Sequence, residues 1–256
     1  MTYDLSSASL SSHGFELITA DSLEKLDSLK LFLSKRIASA SAHSTSTFTP
    51  DYILNHSHTL LNISSDVMAN QLVMDLINHS SDDFDFSEIS YHSFQSSITS
   101  FLGPDLHAQK NNNLVFQYPE SERFSELHTD FPPNSPYELV FWIPLVDCFE
   151  SKTFYIVPLS KSLELLSDYK SMKFNSWDAF KEACLSHAIQ VTVPYGKALV
   201  FWTGIIHGSL INSSNESRWC INARFKNLFA PCGQHNPLTY YKIFLTSAVS
   251  NIALSL

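Results

Sequence analysis

Three side chains of the kinds that bind transition metals stand at spacings that let them converge. His128 and Asp130 lie in Glu126-Leu127-His128-Thr129-Asp130. They are two positions apart, so on an extended chain both leave the same face. His207 comes much later, after the apolar run Ala198-Leu199-Val200-Phe201-Trp202 and the stretch Thr203-Gly204-Ile205-Ile206. Two imidazoles and one carboxylate arriving from two strands form a donor set that holds non-heme Fe(II) on one face of an octahedron. The opposite face stays open for a cosubstrate and dioxygen. A His-x-Asp pair alone recurs by accident in a chain with 11 His and 25 acidic residues. The same donors also suit Zn(II) with a bound water, which points to hydrolysis, or to a protein that binds metal or ligand without turnover.

The residues after His207 separate these readings. Gly208-Ser209 is a small pair that leaves space for a ligand to approach. Arg218 follows His207 by eleven positions and opens a β-like run in which Arg218, Cys220, Asn222 and Arg224 share one parity, and so one strand face. Two guanidiniums directed into a sheet interior are costly without partners. A structural Asp or Glu could serve, and so could an organic acid, whose carboxylate meets the guanidinium fork through two parallel bonds. Zinc chemistry gives no reason for either arginine.

The elements that must position these residues change character along the chain. A short strand fits 13–18, followed by a helix capped at Asp21-Ser22 and running to about 38, with Leu23, Leu26, Leu29, Leu33 and Ile37 at near-helical spacing. Thr49-Pro50 places a cap before a proline at the first helical position. An amphipathic helix fits 66–79, with Val67, Leu72, Leu76 and Ile77 as its core face, and another fits 86–102, closed by Gly103-Pro104. From 113 onward the pattern becomes β-like, at 114–118, 139–145, 153–157, 189–193, 198–202, 207–211 and 217–228, with helices at 161–169 and 177–187. Residues 238–245 fit either a helix or a strand. No repeat or linker is visible, so the expectation is one domain over 1–256. Residues 1–112 would be a mainly helical cover, 113–230 the core and 231–256 a C-terminal segment. The class is α+β, a double-stranded β-helix (jelly roll) with the N-terminal helices packed on one sheet. Such a barrel would hold a metal at its mouth, and the loops at 104–113, 119–127, 131–137 and 170–176 could cover it. Asn111, Asn112, Asn113, Glu120, Glu122 and Arg123 could grip a polar molecule there. Phe131, Pro132, Pro133 and Tyr137 could form one wall.

Composition excludes several classes. The net charge is −9, only 16% of residues are charged, and no Lys/Arg cluster appears, so a nucleic-acid partner is not expected. No run approaches the ~18 apolar residues of a transmembrane helix, and the Ser-rich start carries no basic-then-apolar signal. The expectation is a cytoplasmic protein without a membrane partner. Cys148, Cys184, Cys220 and Cys232 are scattered and read as ordinary thiols.

The order of motifs from 113 to 229 resembles the phytanoyl-CoA-hydroxylase-like branch of the Fe(II)/2-oxoglutarate-dependent dioxygenases, particularly small bacterial members associated with carbohydrate gene clusters. The resemblance rests on Gln117-Tyr118-Pro119, His128-Thr129-Asp130, Phe141-Trp142-Ile143-Pro144-Leu145, His207-Gly208-Ser209, and Arg218-Trp219-Cys220-Ile221-Asn222-Ala223-Arg224-Phe225. It implies that His128, Asp130 and His207 bind Fe(II). Arg218 would hold the distal carboxylate of 2-oxoglutarate, with Ser209 and Trp142 close to the same cosubstrate and Gln117 and Arg224 as further contacts. O2 would be the co-reactant. Asp130 stands where related halogenases lack a carboxylate, so hydroxylation or another oxidation is implied rather than chlorination. The chain departs from the family in Cys220, Asn222 and the missing Gly after Pro158. A small polar metabolite, such as a sugar or activated sugar, is the implied substrate. A protein substrate would share the triad, but no extended groove signal supports one. Helix-rich N-terminal segments leave room for a homodimer.

Overall fold

The computed structural model of the chain describes residues 5–42, 45–80, 84–110, 113–121, 125–209 and 211–256. Its strands are β1 (Phe15–Thr19), β2 (Asp105–Gln109), β3 (Asn113–Gln117), β4 (Glu138–Pro144), β5 (Tyr155–Ile156), β6 (Ile189–Gln190), β7 (Lys197–Trp202), β8 (His207–Gly208), β9 (Arg218–Asn227) and β10 (Tyr241–Leu245). The larger sheet runs β1-β7-β4-β9-β2-β10, and β3 also pairs with β9. The smaller sheet runs β6-β5-β8. Every pairing is antiparallel. The two sheets enclose a barrel interior, and the fold is a double-stranded β-helix with helices on the larger sheet.

Strand β9 carries the argument from sequence to architecture. Its residues alternate between polar or small (Arg218, Cys220, Asn222, Arg224, Lys226) and apolar (Trp219, Ile221, Ala223, Phe225), so one face is barrel interior and the other is helix-packing surface. One edge pairs with β4 from Glu138↔Lys226 to Pro144↔Cys220. The other edge is shared by β3 on residues 218–222 and β2 on residues 225–227. A strand with neighbours on both edges and both faces covered is fixed in register.

The helices are α1 (Leu10–His13), α2 (Glu24–Ala40), α3 (Pro50–Asn55), α4 (Ser57–Leu60), α5 (Asp66–Ser80), α6 (Phe86–Ser93), α7 (Gln95–Leu102), α8 (Leu159–Lys170), α9 (Trp177–His187), α10 (Pro237–Tyr240) and α11 (Ala248–Leu254). Leu26, Leu29, Leu33 and Ile37 of α2 are fully buried, as their spacing predicts, and each such burial is worth about 2 kcal/mol; Leu23, expected with them, precedes the helix and is exposed. Helices α3, α6 and α7 pack on β9, and α5 packs on β3.

Several expectations are corrected. The helix expected over 86–102 is broken at Phe94 into α6 and α7. Of the cap expected at Asp21-Ser22, Ser22 Oγ accepts from the Glu24 N–H at 3.3 Å, while Asp21 does not cap the helix beside it in sequence. Its carboxylate accepts from the Ser96 backbone N–H at 2.8 Å, on the first turn of α7. Val67 lies on the outer face of α5 and is 77% exposed, while Leu76 is buried. Strand β2 replaces part of the loop expected over 104–113, the ambiguous C-terminal stretch forms α10 and β10, and α11 follows. The four cysteines are free thiols. Among the described residues no helix is long and apolar enough to cross a membrane.

Candidate functional site

His128 and His207 face each other as a β-bridge closed by two backbone hydrogen bonds, His128 N–H to His207 C=O at 2.8 Å and the reverse at 2.9 Å. Asp130 does not continue a regular strand. Its N–H donates to the Thr203 carbonyl at 2.9 Å, which turns the chain and brings the carboxylate back beside the imidazoles. One donor atom from each of His128, Asp130 and His207 lies within 4.8 Å of the others. Among the described residues, no other group of three His, Cys, Asp or Glu side chains converges this way.

Each ligand candidate is held by a second group. His128 Nδ1 meets the Glu126 carbonyl at 2.7 Å, and His207 Nδ1 meets the Ile205 carbonyl at 3.0 Å. A carbonyl accepts, so both Nδ1 atoms carry the proton, and both Nε2 lone pairs are left for an ion. Asp130 Oδ2 is paired with Arg224 Nη2 at 2.8 Å, and Asp130 Oδ1 lies 3.6 Å from His128 Nε2. Arg224 is itself steadied by Gln109 Oε1, 2.9 Å from Nη1.

The electrostatics follow. Burial, then the adjacent His128, push His207 down to about 4, so it is neutral and ready to coordinate. His128 is raised, first by its contact with Asp130, against the opposing effect of burial. Burial would raise Asp130, but His128, His207 and Arg224 together hold the carboxyl well below the usual range. The donor set is therefore two imidazoles and a carboxylate that stays ionised, and it fits a divalent metal.

These residues open on a cavity of about 90 Å³ whose lining also includes Trp142, Ser209, Arg218, Asn222 and Arg224. The parity expected for β9 is realised, with both guanidiniums and the amide facing inward. The two arginines differ sharply in their partners. Arg224 is occupied by Asp130 and Gln109. Arg218 donates from Nη1 to the Thr153 carbonyl, and among the described residues the buried Nε of both arginines and Asn222 Oδ1 have no hydrogen-bond partner. Among the described residues no carboxylate pairs with Arg218, so its charge is available to an acid in the cavity it lines.

The other residues divide. Ser209 exchanges hydrogen bonds with the 125 backbone, its N–H donating to Ser125 C=O at 2.8 Å and its Oγ accepting from Ser125 N–H at 3.1 Å. Trp142 packs its ring against Phe154, tilted by 51° with 4.7 Å between centroids. Gln117 pairs with Arg218 in register but lines a second, larger cavity of about 500 Å³ between α5 and β3, which shares His128, Ser209, Arg218 and Asn222 with the first. Gly208 is small for a different reason than expected. A Cβ there would sit 2.9 Å from the backbone of Glu126 and Leu127, so glycine lets the two ligand-bearing segments touch.

The wall expected from Phe131, Pro132, Pro133 and Tyr137 is absent from both cavities. That segment turns outward, with Tyr137 57% exposed, and is tied to the C-terminal segment through Ser135 Oγ donating to Pro231 C=O. The loop at 170–176 lines neither cavity either. Asn111, Asn112, Glu122 and Arg123 lie outside the described residues. Sequence reasoning missed the inward face of α5, where Asp66, Asn70 and Met74 line the larger cavity. Asp66 and Asn70, one helical turn apart on the same side as Ala69 and Val73, were the available signal.

No protein-family model matches the chain, and no curated protein matches it in sequence. Solved structures share its fold. The non-heme monooxygenase ThoJ in its apo form is 14% identical over 95% of this chain and 85% of that one, with a TM-score of 0.52. EvdO2 from Micromonospora carbonacea var. aurantiaca, complexed with 2-oxoglutarate, is 14% identical over 89% of this chain and 91% of that one, at 0.51. The non-heme alpha ketoglutarate dependent carbocyclase SnoK from nogalamycin biosynthesis is 11% identical over 96% and 100%, at 0.50. At these identities the likeness is one of fold.

Proposed function

We propose that the protein is a non-heme Fe(II)- and 2-oxoglutarate-dependent dioxygenase of the phytanoyl-CoA-hydroxylase-like branch, oxidising a C–H bond of a small polar metabolite such as a sugar. The observation that carries this reading is the three-donor cluster sharing one cavity with Arg218, a guanidinium that no carboxylate of the described residues pairs with. His128 and His207 would bind the metal through Nε2 and Asp130 through Oδ1. Arg218 would receive the distal carboxylate of 2-oxoglutarate. When bound, iron with its cosubstrate supplies dioxygen activation, giving oxidised substrate, succinate and CO2.

The chain's own contribution is positional. The two carbonyls at Glu126 and Ile205 fix the imidazole tautomers, and Arg224 holds one oxygen of Asp130 so that the other is free for the ion. Trp142 and Phe154 line the inner cavity with apolar surface and limit water there. The larger cavity beside His128, whose side chain is 43% exposed, is where substrate would lie. The shape and size of that cavity suit a small molecule with polar groups toward Asp66 and Ser121.

Anaerobic addition of Fe(II) and 2-oxoglutarate should give a weak visible charge-transfer band, and admission of oxygen should give slow succinate formation. His128→Ala and Asp130→Ala should each abolish succinate. If both variants turn over at the parent rate, the assignment is wrong.

A further inference from the structure

Resting on the reading that Arg218 receives the distal carboxylate, the structure also shows what aims that arginine. Arg218 is held on two sides. Its guanidinium donates to the carbonyl of Thr153. Its backbone neighbours are tied to the junction of α3 and α4. Ser217 N–H donates to Asn55 C=O at 2.6 Å, Ser217 Oγ meets His58 Nδ1 at 2.8 Å, and Trp219 Nε1 donates to Leu54 C=O and Ser57 Oγ, both at 3.1 Å.

Lys152 joins the two sides. It is fully buried, and its Nζ donates to Asn55 Oδ1 at 2.9 Å and pairs with Glu216 Oε2 at 2.5 Å. One lysine thus connects the residue preceding Thr153, the end of α3, and the residue two before Arg218. A buried ion pair is a poor source of net stability, because desolvation offsets the attraction, and an apolar side chain of similar volume fills such a space as well. What the pair adds is a defined geometry for three segments that meet nowhere else in sequence.

We propose that Lys152 is a positioning residue for the cosubstrate: by locking residues 152–153 to Asn55 and Glu216, it places the Thr153 carbonyl that orients the Arg218 fork beside the cavity it lines. It touches neither metal nor cosubstrate and acts through Thr153 and Arg218. Its effect must therefore be confined to ligands that use the guanidinium.

The test compares the full-length parent with Lys152→Met and Glu216→Gln, loaded with Mn(II) and titrated by calorimetry. Two ligands are used: 2-oxoglutarate, and 2-oxopentanoate, which keeps the keto-acid end but lacks the distal carboxylate. Both variants are expected to weaken 2-oxoglutarate binding on the order of tenfold, with 2-oxopentanoate binding and Mn(II) affinity within twofold of the parent. Equal loss for both ligands, or unchanged 2-oxoglutarate affinity in the folded variants, overturns the inference. Glu216 is the partly exposed member of the pair, so Glu216→Gln keeps the comparison decisive if Lys152→Met does not fold. A parent that prefers 2-oxoglutarate no more than 2-oxopentanoate would instead overturn the role of Arg218, and this inference with it.

Discussion

Two arginines on one strand face carry different chemistry because their partners differ. Arg224 meets Asp130 from 94 positions away in sequence and Gln109 from 115, whereas among the described residues Arg218 meets a carbonyl and no carboxylate. Parity along β9 made their shared face legible in the sequence, but long-range pairing decides which one is spent on Asp130. Arg218→Ala should raise the 2-oxoglutarate requirement by roughly 100-fold, the scale of a lost charge-assisted pair at about 3 kcal/mol, while leaving Mn(II) affinity near the parent value. Titration of the Mn(II) protein checks both. Arg224→Met should do the reverse. Asp130 loses its partner, and metal affinity should fall about 10–100-fold, as for outer-shell partners of metal ligands generally. Chelator competition measures that loss, and an unchanged affinity would remove Arg224 from this role.

Among the elements, the α8–α9 hairpin explains why the two histidines stay opposed. Leu127 and Ile206, the residues just before His128 and His207, point away from the cavity into a separate apolar cluster with Val157, Leu165, Phe180 and Cys184. Lys181 of α9 adds an ion pair with Glu126 at 3.1 Å. Phe180→Ala should cost roughly 3 kcal/mol and weaken Mn(II) binding as well, because the cluster backs both ligand segments. A lower melting temperature with unaltered metal affinity would confine the hairpin to stability. Strand β2 was illegible for a related reason. Its inward positions hold His107 and Gln109, satisfied by Lys226 Nζ at 2.9 Å and by Arg224, so polar pairing inside the barrel erases the apolar alternation that marks a strand. Its first residue, Asp105, ties β2 to the C-terminal helix. The Ser247 N–H and hydroxyl, with Ser250 and Thr246, hold Asp105 down to about 2 from an ordinary 3.8, against a smaller effect of burial. A depressed carboxyl contributes stability above its unfolded pKa and loses it as pH falls through the folded one. The contribution should therefore be full above about pH 4 and gone near pH 2. Acid melts of the parent should show a loss in that window that Asp105→Asn lacks.

For the whole molecule, a jelly roll carries the metal candidates and an α-helical cover shapes what reaches them. The barrel was legible because its strands from β4 onward keep apolar faces. A helical cover was expected too, but the face of α5 that lines the larger cavity was not legible, because Asp66 and Asn70 read as ordinary solvent-facing residues until β3 is seen opposite. Asp66 accepts from Ser121 Oγ at 2.9 Å at the rim of the larger cavity. Asp66→Asn should leave uncoupled succinate formation near the parent rate and change which metabolites stimulate it. A screen of sugars and other polar metabolites, scored by succinate release, distinguishes this from a purely structural role. The reciprocal amide pair between residues 128 and 207 has one more implication. Backbone bonds, independent of any ion, hold the imidazoles in place, so metal should load and leave as cargo in a prebuilt berth, without refolding. Deuterium uptake at those two amides should be equally slow before and after chelation.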